Sequence, residues 1–158
     1  MEVRVLRSPR RRKSVAARQV GDVLQVTIPA WMNSDDEQRA VDAMVRRMER
    51  KAAAGAVDIA ARSAVLAALY DLPAPSSVRW VDNQQWRWGS CSPGEASLRL
   101  STRLTGFPAW VIDYVIVHEL AHLRVAGHGP DFWALVDRYP RTERARGFLL
   151  AKGGEDDE

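Results

Sequence analysis

Apolar and polar positions alternate with a period of two over residues 2–6 (E-V-R-V-L) and 22–28 (D-V-L-Q-V-T-I), which predicts two half-buried strands with a turn at Gly21-Asp22. Pro29 ends the second strand, and Ser34 followed by Glu37 reads as a capping box opening a helix. Val41, Met44, Val45 and Met48 form the apolar stripe of that helix through about Lys51. A second helix is predicted over Val57 to Tyr70, ended by Asp71-Leu72-Pro73. Both helices are expected to cover an antiparallel N-terminal sheet.

From Ser77 the pattern changes to three short strands. Ser92-Pro93-Gly94-Glu95 has turn chemistry, so segments 85–91 and 96–101 are expected to pair as a hairpin. On a strand running through 85–91, Trp86, Trp88 and Ser90 share one face, and Arg87, Gly89 and Cys91 the other. Gly89 inside such a strand predicts close approach by another backbone. A helix rich in apolar residues follows from Pro108 to about Arg124, then one from Pro130 to Arg138 and a short one from Pro140.

Composition sets the scale of this arrangement. With 158 residues, 46% of them hydrophobic, the chain can bury a proper core, and one domain over residues 1–152 is expected. Residues 1–75 would supply the N-terminal strands and two helices, residues 76–152 the hairpin and remaining helices, and residues 153–158 a disordered acidic tail. The single cysteine excludes an internal disulfide, and no signal-peptide pattern is present. The most membrane-like run, Val111 to Val117, is short and interrupted by Asp113, so no membrane partner is expected and the setting is read as cytoplasmic.

Charge is uneven: residues 1–51 carry twelve Lys/Arg against seven Asp/Glu, and residues 109–158 six against nine. Arg7, Arg10, Arg11, Arg12, Lys13 and Arg18 crowd the N-terminus, either to attract a polyanion or as a solvated hairpin without a partner. No aromatic residue lies within 1–30, so any nucleic-acid contact through Arg10, Arg11 and Arg12 is expected to be weak and non-specific.

The chemistry concentrates in V-H-E-L-A-H-L-R-V-A-G-H, residues 117–128, which holds all three histidines of the chain. On a helix His118 and His122 stand one turn apart on the same face, so their imidazoles can converge on one zinc ion. Glu119 is rotated about 100° from His118, beside a metal rather than on it, where it would act as a base toward zinc-bound water. A tetrahedral catalytic zinc takes three protein ligands, and Gly127 allows a reversal that returns His128 as the third. Cys91 has a nucleophile or a fourth ligand as its alternatives to simple packing.

The motifs R-W-G-S-C-S at 87–92, L-R-L-S at 98–101, I-D-Y-V-I-V-H-E-L-A-H-L at 112–123 and H-G-P-D-F-W at 128–133 together resemble the YgjP-like metallopeptidases, zincins related to the SprT-like group. The ligand spacing equals that of metzincins, but Val125 occupies their glycine position and no Met-turn follows. The resemblance implies an α+β zincin-like domain with helices packed on a mostly antiparallel sheet. It implies one zinc per chain held by His118, His122 and His128, with Glu119 as the catalytic acid/base in peptide-bond hydrolysis. A peptide or protein substrate would lie along the hairpin, near Trp88, Gly89 and Ser90, while Tyr139 and Arg138 are guesses for stabilising the oxyanion. The alternative class is a nucleic-acid-associated or scaffold protein whose zinc site is structural or vestigial.

Overall fold

The computed structural model of the chain describes residues 1–153; the predicted acidic tail lies, from residue 154 onward, outside the described residues. The chain divides into two compact units, residues 1–52 and 53–158, a boundary earlier than the subdivision expected after residue 75.

In the first unit β1 (Glu2–Ser8), β2 (Ala16–Val20) and β3 (Val23–Pro29) form a sheet in the order β1-β3-β2. β2 pairs antiparallel to β3 through the Gly21-Asp22 turn, where Gly21 takes a positive φ of 60°, the left-handed conformation glycine adopts cheaply. β1 runs parallel to β3, so the expected antiparallel sheet is mixed instead. The reason is β2: five residues of the stretch between the two predicted strands form the hairpin partner, and the chain must cross the sheet to reach it. Leu24, Val26 and Ile28 alternate inward from β3 and are fully buried, packed beneath Val41, Met44, Val45 and Met48 of α1 (Ser34–Gly55).

The start of α1 is capped one residue earlier than the Ser34-Glu37 pattern predicts. Asn33 Oδ1 accepts the Asp36 amide at 2.8 Å, while Glu37 pairs with Arg7, whose guanidinium also donates to the Ala30 and Met32 carbonyls. Asn and Ser cap equally well, so two adjacent candidates are separable only by where the backbone turns.

The second unit is built around α3 (Ala109–His122), a helix whose residues Val111 to Ala121 are all buried. A helix apolar on every face belongs at the centre of a core. Around it lie α2 (Ile59–Leu69), α4 (Pro130–Val136), α5 (Thr142–Ala151) and a sheet ordered β4-β6-β5, made of β4 (Ser77–Val81), β5 (Gly89–Ser92) and β6 (Ser97–Ser101). α2 packs on α3 and β4 within this unit. The second sheet is mixed too: β5 and β6 make the predicted antiparallel hairpin, whereas β4 runs parallel to β6 with Val78 beside Leu98 and Trp80 beside Leu100. Two three-stranded mixed sheets therefore replace one mostly antiparallel sheet, within an α+β fold.

The hairpin is shorter than expected. Residues 82–88 form a loop fixed by side chains, with Thr102 Oγ1 donating to Asp82 and Arg103 to the Gln85 carbonyl, so strand pairing begins only at Gly89. Trp86 and Trp88 accordingly do not share a strand face: Trp86 is 72% exposed and Trp88 is buried. No single helix among the described residues is long and apolar enough to cross a membrane.

One charge is buried deliberately in the core helix. Asp113 accepts from Arg62 Nε at 2.8 Å and Nη2 at 2.6 Å, a bidentate pair joining α3 to α2. Replacing Arg62 with Ala should strand that carboxylate and lower stability by about 1–3 kcal/mol, less than for a fully buried pair because the Arg62 side chain is 47% exposed. A urea titration measures this directly, and an unchanged midpoint would mean the pair contributes nothing net.

Candidate metal centre

α3 delivers His118 and His122 to the same face, and the third histidine arrives from the corner that follows. Gly127 takes a positive φ of 75° and Gly129 is extended before Pro130 opens α4, so the chain reverses and His128 returns to the end of α3. The ligating atoms of His118, His122 and His128 lie within 4.8 Å of one another. His122 Nε2 and His128 Nε2 are 3.0 Å apart.

The outer nitrogens of two rings are held from behind. His122 Nδ1 donates to the Val125 carbonyl at 3.2 Å, which directs its Nε2 inward. His118 Nδ1 lies 3.3 Å from the Tyr114 hydroxyl one turn earlier on α3. Such bonds fix the orientation of a metal-ligating imidazole and raise its basicity. Phe132 stacks on His122 with centroids 4.2 Å apart, and Trp133 stands 6.0 Å from His118, so the rings are set against an aromatic wall. His118 is 5% exposed, and burial, aided by His122, His128 and Arg146, pushes its pKa down from 6.5 to about 3. The imidazole is therefore neutral at neutral pH, the form in which histidine ligates a cation. Three imidazoles converging in this way, two of them held from behind, fit a divalent metal of the zinc type.

Glu119, 6% exposed, lines the same cavity of about 340 Å³ as the three histidines. Gly89 explains how the hairpin comes so near: a Cβ there would meet Glu119 Cγ, Glu119 Oε1 and Val115 Cγ1, each at 3.1 Å. The predicted close approach at this glycine is thus to side chains of α3, not to another backbone. Gly89, Ser90, Trp88 and Cys91 all line the cavity. Ser90 Oγ accepts from Gln84 Nε2 at 2.6 Å and Arg99 Nε at 2.9 Å. Burial and then Glu119 push the Cys91 thiol up to about 11, which argues against a thiolate nucleophile.

Other expected residues are placed elsewhere. Tyr139 is buried in the core with its hydroxyl donating to the Trp110 carbonyl at 2.7 Å, and Arg138 donates to the Tyr70 and Asp71 carbonyls at the end of α2. Neither lines the cavity, because α4 closes between His128 and these residues and turns them away. Arg10, Arg11 and Arg12 lie in the connection between β1 and β2; Arg11 donates to Ser14 Oγ, and the Arg12 carbonyl accepts from the Trp31 indole. Tyr114 and Arg146 are among the cavity residues that were not anticipated. Tyr114 could have been found from its one-turn spacing to His118, whereas Arg146, on α5, has no local signal.

Comparison with known proteins accords with this geometry. Residues 10–150 match the family described as the YgjP-like metallopeptidase domain. Comparison with curated proteins returned no match. The fold resembles the crystal structure of the metallopeptidase zymogen abylysin of Pyrococcus abyssi, with a TM-score of 0.52 and 20% identity, over 58% of this chain and 90% of that one. It also resembles the metallopeptidase zymogen jannalysin of Methanocaldococcus jannaschii, with a TM-score of 0.51 and 18% identity, over 61% and 97% of the two chains.

The depressed His118 pKa makes stability pH-dependent in the metal-free protein. The unfolded chain takes up this proton near 6.5 and the folded one only near 3, so protonation favours unfolding as pH falls between those values. Stability is fully present above 6.5 and is lost below it. Urea midpoints in chelator should fall from about pH 7.5 to pH 5, and the fall should be smaller in His118→Gln; equal pH dependence in the two proteins would refute a buried neutral His118.

Proposed function

The chain belongs to the YgjP-like metallopeptidase family, and we propose that it is a zinc-dependent endopeptidase of the H-E-x-x-H type with Glu119 as its acid/base. The observation carrying this reading is the convergence of His118, His122 and His128 in one cavity that also holds a buried carboxylate belonging to none of them. A purely structural site has no use for a base beside an open position, which weighs against the scaffold alternative.

His118, His122 and His128 would hold one zinc. Bound there, the ion supplies Lewis-acid chemistry, acidifying water and polarising a carbonyl. The chain's own residues do the rest. The edge of β5 not paired to β6 borders the cavity at Gly89 and Ser90, so a substrate in extended form adds beside it through main-chain hydrogen bonds. Glu119 takes the proton from the attacking water on its carboxylate and returns it to the leaving amine nitrogen as the peptide bond breaks. Gly89 keeps the strand within reach of that carboxylate. Trp88, buried against Phe107 and covered by Arg103 at 4.0 Å, stiffens the near wall. A single unpaired cysteine suits a reducing, cytoplasmic setting.

Protein purified without added metal should contain one zinc per chain by elemental analysis. His128→Ala and His122→Ala should each lower occupancy, since each removes one of three ligands; full zinc affinity in His128→Ala would place the third ligand elsewhere.

Glu119→Gln keeps size and hydrogen bonding while removing the base. Zinc content and fold should persist, and cleavage of an unfolded protein substrate should fall about 100-fold or more. Unchanged cleavage would mean that Glu119 is not the base.

A further inference from the structure

The cleft has cations on both sides of its catalytic carboxylate. On the α5 side Arg146 lines the cavity, its guanidinium lying 4.3 Å over the Trp133 ring and 3.4 Å from Glu143. On the β5 side Arg87 lines the same cavity, and Arg99 lines an adjoining one of about 350 Å³ that shares Trp86, Arg87, Ser90 and Cys91 with it. Among the described residues lining the two cavities, Glu119 is the one carboxylate against Arg87, Arg99 and Arg146.

Two of these cations are already positioned. Arg99 is held by Ser90 Oγ at 2.9 Å and Ser92 Oγ at 3.1 Å, and Arg146 by the face of Trp133. Neither Arg87 nor Arg99 has a carboxylate partner among the described residues. Glu143, one partner of Arg146, is 82% exposed, and such a solvent-screened pair exchanges for another carboxylate at little cost. A planar guanidinium fixed in advance recognises a carboxylate with little loss of side-chain freedom. The same charges repel a lysine in the same place, which makes discrimination two-sided.

We propose that the site is selective for acidic peptides, taking Asp or Glu side chains beside the scissile bond, with Arg146 engaging the carboxylate on the α5 side and Arg87 and Arg99 on the β5 side. This rests on the peptidase reading above and names its substrate class. Arg146 is in this sense a specificity residue, not part of the proton-transfer chemistry.

The test uses the full chain and amidated fluorogenic peptides of equal length that differ only in Asp/Glu, Asn/Gln or Lys around the cleaved bond, which mass spectrometry locates. Acidic peptides should give about tenfold higher kcat/KM than neutral ones, the scale of one charge-assisted hydrogen bond, and the gain should shrink as salt rises. Arg146→Glu should remove or invert the order between acidic and Lys peptides. In parallel, fluorescence anisotropy on Glu119→Gln reads the affinity of labelled acidic and Lys peptides without turnover. Equal cleavage and equal binding of all three sets would overturn the proposal, as would a gain confined to peptides with a free C-terminal carboxylate. Preferential binding of acidic peptides with no cleavage by the parent chain would uphold the selectivity and sink the peptidase reading instead.

Discussion

The constraint on which the rest depends is that α3 is buried along nearly its whole length and still carries Asp113, His118 and Glu119. Polar groups in such a place cost several kcal/mol unless partnered. Each is accommodated differently. Asp113 is held by the bidentate Arg62, a pairing between helices of the same unit. His118 gives up its charge and sets Nδ1 against the Tyr114 hydroxyl. Glu119 faces a cavity, with the hairpin drawn close at Gly89. The helix thus sorts its polar residues by turn: the first ties α3 to α2, and the later two face the cavity.

Position in this site is set by packing more than by loops. A Cβ at residue 89 would lie 3.1 Å from Glu119 Cγ, Glu119 Oε1 and Val115 Cγ1, so either those side chains give way or β5 stands farther from α3. The aromatic wall serves the same end. Phe132, fully buried, stacks on His122 while α4 anchors it in the core, so the orientation of the histidines is inherited from core packing.

Legibility followed the range of the interaction. The pairing of His118 with His122, the burial of α3 and the reversal at Gly127 are local, and each was readable from residues a turn or two apart. The parallel pairings β1-β3 and β4-β6 were not, since a strand pattern says which face is apolar and nothing about which distant strand lies alongside. β2 was missed because A-A-R-Q-V alternates weakly, and the contacts of α2 with α3 and β4 were not readable because an apolar stripe does not name what it packs on. Tyr139 looked promising only through nearness in sequence to His128, and α4 carries it into the core instead. The crowd of N-terminal cations likewise thins once folded: Arg7 is committed to Glu37 and two carbonyls, and Arg18 to Gln25.

Arg146 shows why sequence neighbourhoods miss half of a site. α5 buries Ala145 and Leu149 in the core and at the next positions around the helix presents Arg146 and Leu150 to the cavity. A residue serving the cleft from such a helix is placed by the same contacts that stabilise the fold, so its guanidinium is aimed before any substrate arrives. The Trp133 ring that supports it also flanks His118 and His128, which couples the cationic wall to the histidines through one rigid side chain. Moving that wall would mean repacking the core. The charge selectivity proposed above would accordingly be set by the framework, through the residue that α5 presents at position 146.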